Sequence, residues 1–171
     1  MSDDALQPKA ISDSWVTDQV YKVFPNDMNS HRTVFGGLIL ATIDRLCATV
    51  AERHAERTCV TASVDAVHFM APALEGETLV YSCGINRTWK TSMEIGAKCA
   101  AENSITGEHR HILSAYFTFV ALDDDGKPTR IPPIRLENDQ QRQRYEEAQL
   151  RRDYRLKHAE AIKAYREGLK R

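Results

Sequence analysis

From Gly36 to Ala55 apolar residues occur on nearly every side of a helical projection. A run of about 20 residues at about 1.5 Å each predicts a helix about 30 Å long, and its all-round apolarity predicts that it is buried. Gly37, Ala41, Asp44, Ala48 and Ala51 fall on one narrow stripe, while Ile39, Ile43, Leu46 and Val50 gather on another side. The small residues around Asp44 leave a groove. A carboxylate in such a place is hydrogen-bonded, paired or functional. From the helix alone, a structural pairing of Asp44 with Arg45 or another segment explains it as well as a functional role.

The remaining periodicity is that of strands. Trp15 to Phe24 alternates roughly and ends at Pro25. The segment Pro25 to His31 is a loop dense in turn formers. After the helix come Cys59 to Phe69, closed by Pro72, and Thr78 to Ile85, in which Leu79, Tyr81, Cys83 and Ile85 alternate. A connection containing Asn86 to Lys90 follows. Met93, Ile95, Ala97 and Cys99 then alternate with polar or small residues, and His109 to Leu122 is the last strand. Its part from Ser114 onward is close to continuously apolar, which predicts cover on both faces. One strand, a long helix and four antiparallel strands predict an α+β fold, a five-stranded sheet curled around a central helix. Neither side of the Cys59–Phe69 run is clearly solvent-like. A homo-oligomer that buries the outer face is therefore expected.

Flanking segments differ in composition. Residues 1–14 are polar and predicted to be a flexible N-terminus, residues 15–133 form the core domain, and residues 134–171 read as a charged helical extension after Ile131-Pro132-Pro133-Ile134. Tyr154, Ile162, Tyr165 and Leu169 give that extension a partial apolar stripe, as a solvated helix or as an arm on a neighbouring subunit. A length of 171 residues fits one domain with an appendage. The net charge of -1 gives no electrostatic case for nucleic acid or an anionic membrane. No run is long and apolar enough to span a bilayer, and Met1 to Lys9 is too polar for a signal peptide. Cys47, Cys59, Cys83 and Cys99 are widely spaced in apolar runs and read as free thiols of a cytoplasmic protein.

Several chemistries are excluded by what the chain lacks. There is no G-x-S-x-G serine elbow, no phosphate-binding glycine loop and no H-E-x-x-H metal motif. His109 and His111 flank Arg110, a poor metal environment, and the triplet Asp123-Asp124-Asp125 lacks the spacing of a calcium loop and reads as a solvated turn. Cys47 sits among Ile43, Leu46 and Val50, which raises a thiol pKa and favours a packing role. Asn29, the glycine-led helix start and Asp44 remain. Unpaired N–H groups at a helix start can bind a carbonyl oxygen, and glycine lets it come close. A carboxylate two turns on can serve as general base or nucleophile, with the asparagine positioning water or carbonyl. The reaction expected is metal-independent hydrolysis of an activated acyl group.

Six blocks in register carry a resemblance: Pro25 to Asn29, Val34-Phe35-Gly36-Gly37, Ile43-Asp44, Val60 to Asp65, Thr91 to Gly96, and Phe117 to Asp123. Together, across about Trp15 to Pro133, they resemble the hotdog-fold acyl-CoA thioesterases, the group that includes bacterial short-chain acyl-CoA hydrolases and the mammalian brain-type cytosolic enzyme. The resemblance implies a hotdog fold, dimers with a continuous sheet and a trimer-of-dimers homohexamer. It implies hydrolysis of fatty or short acyl-CoA in lipid metabolism, without a cofactor, coenzyme A being part of the substrate. The implied catalytic residues are Asn29 from one subunit, Asp44 from the other, and Gly37 at the helix start. Gly36, Thr61, Lys90, Thr91 and Ser92 are the implied contacts to the coenzyme A side of the substrate. Trp89 stands where relatives often carry glycine. By charge alone, Arg87, Lys90 and Arg110 are candidate phosphate partners, and ordinary solvated cations explain each as well.

Two other functions fit the same fold. A non-catalytic acyl-CoA sensor would need an output module and no carboxylate in the groove. A dehydratase acting on an acyl thioester would use a histidine, for which His31 is the nearest candidate.

Overall fold

A computed structural model describes residues 6–169 of the chain. Expectations for residues 1–5, 170 and 171 lie outside the described residues. The chain divides into two units, Met1–Arg135 and Leu136–Arg171.

In the first unit the long helix α1 spans Gly36–Ala55, as its apolar pattern predicts. Its last residues pass into Glu56, which ends the helix in the left-handed conformation at φ 53°. Ile39, Ile43, Cys47 and Val50 are at most 1% exposed. Burying each large aliphatic side chain stabilises the fold by about 1.5–3 kcal/mol. The opposite stripe differs from the sequence expectation in part. Ala41 is exposed and Asp44 and Ala48 are half-buried, while Ala51 is fully buried, because the sheet covers only one side of α1 within a single chain.

The five-stranded sheet has the order β2-β4-β5-β6-β3, with β2 at Val16–Lys22, β3 at Cys59–Val64, β4 at Thr78–Thr88, β5 at Ser92–Glu102 and β6 at His109–Ala121. Every neighbouring pair is antiparallel. Leu79, Tyr81, Cys83 and Ile85 of β4 and Met93, Ile95, Ala97 and Cys99 of β5 are buried in alternation, as period-two patterning requires. From Ser114 to the end of β6, Ala115, Phe117, Phe119 and Ala121 are buried, while Tyr116, Thr118 and Val120 are half-buried. The expected cover on both faces is thus partial.

Three other expectations are corrected. The regular strand after Cys59 ends at Val64, and residues 65–73 form a loop that the Asp65 and Met70 amides still tie to β6. Asn86 to Thr88 continue β4 instead of leaving it. Ile85 pairs with Ile95 and Arg87 with Glu94, which makes Asn86 the extra residue of a bulge; its side-chain amide donates to the buried Glu94 carboxylate at 3.0 Å. The third correction concerns the polar N-terminus. Lys9–Ala10 forms β1, which pairs in parallel with β7 at Ile134–Arg135. A short helical turn at Ile11–Asp13 follows, with Ala10 and Ile11 buried. Two apolar anchors suffice because the backbone donor and acceptor partners arrive from a distant part of the chain.

The second unit contains helix α2, Asp139–Gly168, opened by Asn138, whose side chain accepts from the Gln141 amide at 2.9 Å. Leu150, Tyr154, Tyr165 and Leu169 of this unit are exposed, and Tyr154 stacks on His158. No helix among the described residues is long and apolar enough to cross a membrane.

Candidate active site

Asn29 heads a tight turn closed by the Met28–Val34 bridge. Its backbone N–H donates to the Thr33 carbonyl at 2.8 Å, and Arg32 donates back to the Asn29 carbonyl at 3.0 Å. The turn requires Arg32 at φ 58°. The side-chain oxygen of Asn29 accepts the His31 and Thr33 amides at 2.8 and 3.3 Å, and Nδ2 donates to Thr33 Oγ1 at 2.9 Å. This network orients the amide. Its oxygen is satisfied, and one N–H remains available to donate elsewhere.

Asp27 fixes this loop to the helix start. Its carboxylate accepts the Tyr21 hydroxyl at 2.9 Å and the Phe24 amide at 2.8 Å. Its carbonyl accepts the amide of Phe35, the residue that caps α1, at 2.8 Å. Phe35 has no side-chain oxygen with which to cap the helix. Among the described residues, nothing accepts the Gly36 or Gly37 amides. They form the positive end of an uncapped helix. A cavity of about 390 Å³ opens beside Gly36, lined by Asn29, Thr33, Gly36, Ile39, Phe69 and Ile112 among others, but not by Gly37. A Cβ on Gly36 would lie 3.0 Å from the Phe69 ring, and one on Gly37 would lie 2.4 Å from Phe35. Both glycines therefore sit directly under aromatic rings.

Asp44 lies elsewhere. Eight residues separate it from Gly36, about 12 Å along the helix axis, and it does not line the cavity. Its Oδ1 accepts the Thr61 hydroxyl at 2.7 Å. Thr61 pairs with Phe119 on β6, whereas the cavity residue Ile112 lies seven residues back on the same strand. At about 3.3 Å per residue these points stand about 23 Å apart. One chain thus carries Asn29 with the glycine helix start at one place and Asp44 with Thr61 at another.

The expected coenzyme A contacts sort along the same division. Ser92 pairs with Val120, which pairs with Val60, so the turn bearing Lys90, Thr91 and Ser92 shares the Thr61 end of the sheet. Its backbone is pinned: Trp89 donates to Ser92 at 2.7 Å, and Ala121 donates to Thr91 at 3.0 Å. Lys90 is exposed, and the Arg87 guanidinium lies 5.9 Å from the Trp89 ring. Arg110 is at the cavity end instead. It chelates the Glu77 carboxylate at 2.9 and 2.8 Å and donates to the Pro72 carbonyl at 2.9 Å. Its Nε and Nη2 groups are thus engaged by the protein. Thr61, grouped with the substrate contacts in the sequence, is bonded to Asp44; the hydrogen bond needs a pairing between strand and helix that no local pattern encodes.

Cys47 is buried, and its hydrogen bond with Cys83, followed by burial, pushes the thiol well above its ordinary pKa. Among the described residues no group of three His, Cys, Asp or Glu side chains could hold a metal. Asp123 instead organises its turn, its carboxylate accepting the Asp125 and Lys127 amides at 3.0 and 2.8 Å.

Residues 31–107 match the family model described as the thioesterase superfamily. A Bacillus subtilis protein named an uncharacterized acyl-CoA thioester hydrolase is 36% identical over 120 residues, covering 70% of each chain. The chain of an apo hexameric acyl-CoA thioesterase superposes with a TM-score of 0.86 at 34% identity, over 90% of this chain and 98% of that one. A Staphylococcus aureus acyl-CoA hydrolase, solved with butyryl coenzyme A, coenzyme A and coenzyme A disulfide, gives 0.85 at 34% identity over 95% and 99%. The latter enzyme has also been solved with alanine in place of an aspartate, an asparagine and a threonine.

Proposed function

The chain belongs to the acyl-CoA thioester hydrolases of the thioesterase superfamily, and on that premise we propose that it cleaves fatty or short acyl-CoA at a site shared by two subunits. The observation that carries this reading is the separation within one chain of two halves that are each chemically incomplete. Asn29 and the Gly36-Gly37 amides supply donors for a carbonyl oxygen but no base. Asp44, oriented by Thr61, supplies a base but no donors for the developing oxyanion. A second copy that sets Asp44 against Asn29 completes both.

The chemistry then follows from the donor set. The thioester oxygen sits against the helix-start amides, Gly37 foremost, and the free Nδ2–H of Asn29 completes its polarisation. Thr61 holds one oxygen of Asp44, and the other takes a proton from water as it attacks the thioester carbon. Collapse breaks the carbon–sulfur bond, releasing the carboxylic acid and coenzyme A, whose thiol regains a proton. The same carboxylate could attack directly as nucleophile, an anhydride then being hydrolysed. No cofactor enters either route.

Oligomer formation on this reading uses the outer edge of β3, beyond which no strand lies among the described residues of one chain. Exposed Val60, Val64, Phe69 and Phe35 support burial of this surface. The dimers assemble into a hexamer, as the related apo enzyme does. Lys90, Thr91, Ser92 and Arg87 lie on the Thr61 side, where the coenzyme A portion leaves the carbonyl. The four thiols are free and buried, which suits a reducing cytoplasm.

Steady-state release of thiol from a panel of acyl-CoA substrates tests the reading, with the oligomeric mass measured in parallel. Turnover that is lost when subunits are separated supports a shared site; binding of acyl-CoA without thiol release would favour the sensor.

A further inference from the structure

Two sets of donors have to meet one carbonyl oxygen, the Nδ2–H of Asn29 and the amides at the start of α1, and separate segments supply them. Asn29 belongs to the turn closed by the Met28–Val34 bridge, and Gly36 opens the helix beyond it. One residue holds both segments. Asp27 Oδ1 accepts the Tyr21 hydroxyl at 2.9 Å, Oδ2 accepts the Phe24 amide at 2.8 Å, and the Asp27 carbonyl accepts the Phe35 amide at 2.8 Å. Neither Tyr21 nor Asp27 lines the cavity.

The Phe24 bond by itself accounts for an aspartate at this position. It closes the short helical turn Pro25–Asp27, whose third residue satisfies the amide just before the turn. The Tyr21 bond is no part of that turn. Its donor comes from β2, where Tyr21 pairs with the wholly buried Leu79 and Lys22 with Thr78. Just beyond, the Val23 amide donates to the Glu77 carbonyl at 3.0 Å. The strand is thus fastened to β4, and the hydroxyl carries that fixed position to the loop. Water can satisfy a tyrosine hydroxyl on an edge strand; here it is given to the second carboxylate oxygen instead. The same bond, ahead of burial and of the carboxylate charge, holds the Tyr21 pKa above its ordinary value. The hydroxyl therefore stays a donor throughout the neutral range.

Resting on the function proposed above, we infer that Tyr21 and Asp27 are positioning residues for the hydrolysis: their hydrogen bond sets the Asn29 amide against the helix-start amides, so that both reach one oxygen. Such convergence is sensitive, because a misplacement of about 1 Å costs about 100-fold in rate. Tyr21 acts through Asp27. Asp27 acts through Met28 on Asn29, and through its carbonyl on the residue that caps α1. The pair shapes the donors that stabilise the transition state and leaves the grip on coenzyme A to other residues. Its effect belongs in kcat and not in KM.

The test compares kcat and KM for thiol release from one acyl-CoA in Tyr21→Phe, Asp27→Ala, Asp27→Asn, Asn29→Ala and the Tyr21→Phe, Asn29→Ala double variant. Tyr21→Phe removes one hydroxyl and should lower kcat about 10-fold, with KM within about twofold of wild type and the oligomeric mass unchanged. Asp27→Ala should lose about 100-fold. Asp27→Asn should recover most of that loss, because its oxygen still accepts the Phe24 amide and its Nδ2 donates to the Tyr21 oxygen. In the Asn29→Ala background Tyr21→Phe should cost about twofold or less, since the donor that it positions is gone. If Asp27→Ala is misfolded by circular dichroism, the Tyr21→Phe and Asn29→Ala cycle carries the test. Wild-type kcat in Tyr21→Phe, a loss confined to KM, or an equal loss in the Asn29→Ala background overturns the inference. So does an Asp27→Asn enzyme as slow as Asp27→Ala, which would assign the effect to charge. Failure of wild type to cleave any acyl-CoA would instead overturn the function on which it rests.

Discussion

The hydroxyl of Thr61, on an exposed edge strand, donates to Oδ1 of Asp44 on the central helix at 2.7 Å. This bond holds one carboxylate oxygen and leaves the other for water. Asp44→Ala should lower turnover by about 10²–10⁴-fold, the usual weight of a positioned acid or base, with the oligomer intact. Thr61→Val should cost about 10-fold, consistent with losing a hydrogen bond to a charged group. Thiol-release rates beside size-exclusion profiles check both, and near-normal turnover in Asp44→Ala would remove it from the mechanism.

The orientation of Asn29 makes a sharper substitution available. Asn29→Asp keeps the acceptor for the His31 and Thr33 amides but loses the Nδ2 donor. Folding should survive, while kcat falls about 10²–10³-fold, the range seen on losing an oxyanion donor. A rate within threefold of wild type would show that the amide donor does not act in the reaction.

Cys47 should prove dispensable. Its hydrogen bond to Cys83 and its burial keep it protonated, so it is a poor nucleophile. Cys47→Ala should retain turnover, and alkylating reagents should leave the native enzyme active. Loss of the reaction in a well-folded Cys47→Ala would reverse the assignment.

Gly96 tests the buried polar pair on β4 and β5. A Cβ there would fall 2.7 Å from Asn86 Nδ2, the group that donates to Glu94. Gly96→Ala should destabilise the fold by about 1–3 kcal/mol through overpacking, read as a lower denaturation midpoint. An unchanged midpoint would mean that the pair yields without loss.

Acid stability should depend on His54. The ring is fully buried with Nε2 on the Pro132 carbonyl at 2.8 Å, and burial lowers its pKa. Lys9, Asp13 and Glu56 are the charged groups that act on it. The unfolded chain takes its proton near pH 6.5, before the folded chain does. Stability is therefore unaffected by this group above about that pH, and it falls as the solution is acidified below it. His54→Gln should flatten the dependence of Tm between about pH 7.5 and pH 5.5, compared with wild type. Parallel slopes would rule out His54 as the cause.

Much of this molecule was legible in one dimension. The helix over Gly36–Ala55 follows from its apolar density, and the buried sets of β4 and β5 follow from strict alternation, because each period reports a local geometry. The bulges were not legible. One extra residue at Asn86 or Ile112 changes which side chain points inward, and only the partner strand defines it as extra. The ordered Lys9–Ala10 strand was hidden for a similar reason, since its hydrogen bonds come from Ile134–Arg135.

For the site, the sequence by itself determined the chemical inventory: an asparagine in a turn, two glycines opening a helix and one carboxylate two turns on. It could do so because residue type, φ freedom and helical spacing are local properties. Only the tertiary structure decided the company each residue keeps. Sheet register set Thr61 on Asp44, gave Arg110 to Glu77 and Pro72, and put the cavity and the carboxylate at separate places in one chain. Those are long-range pairings, fixed by which strands lie side by side.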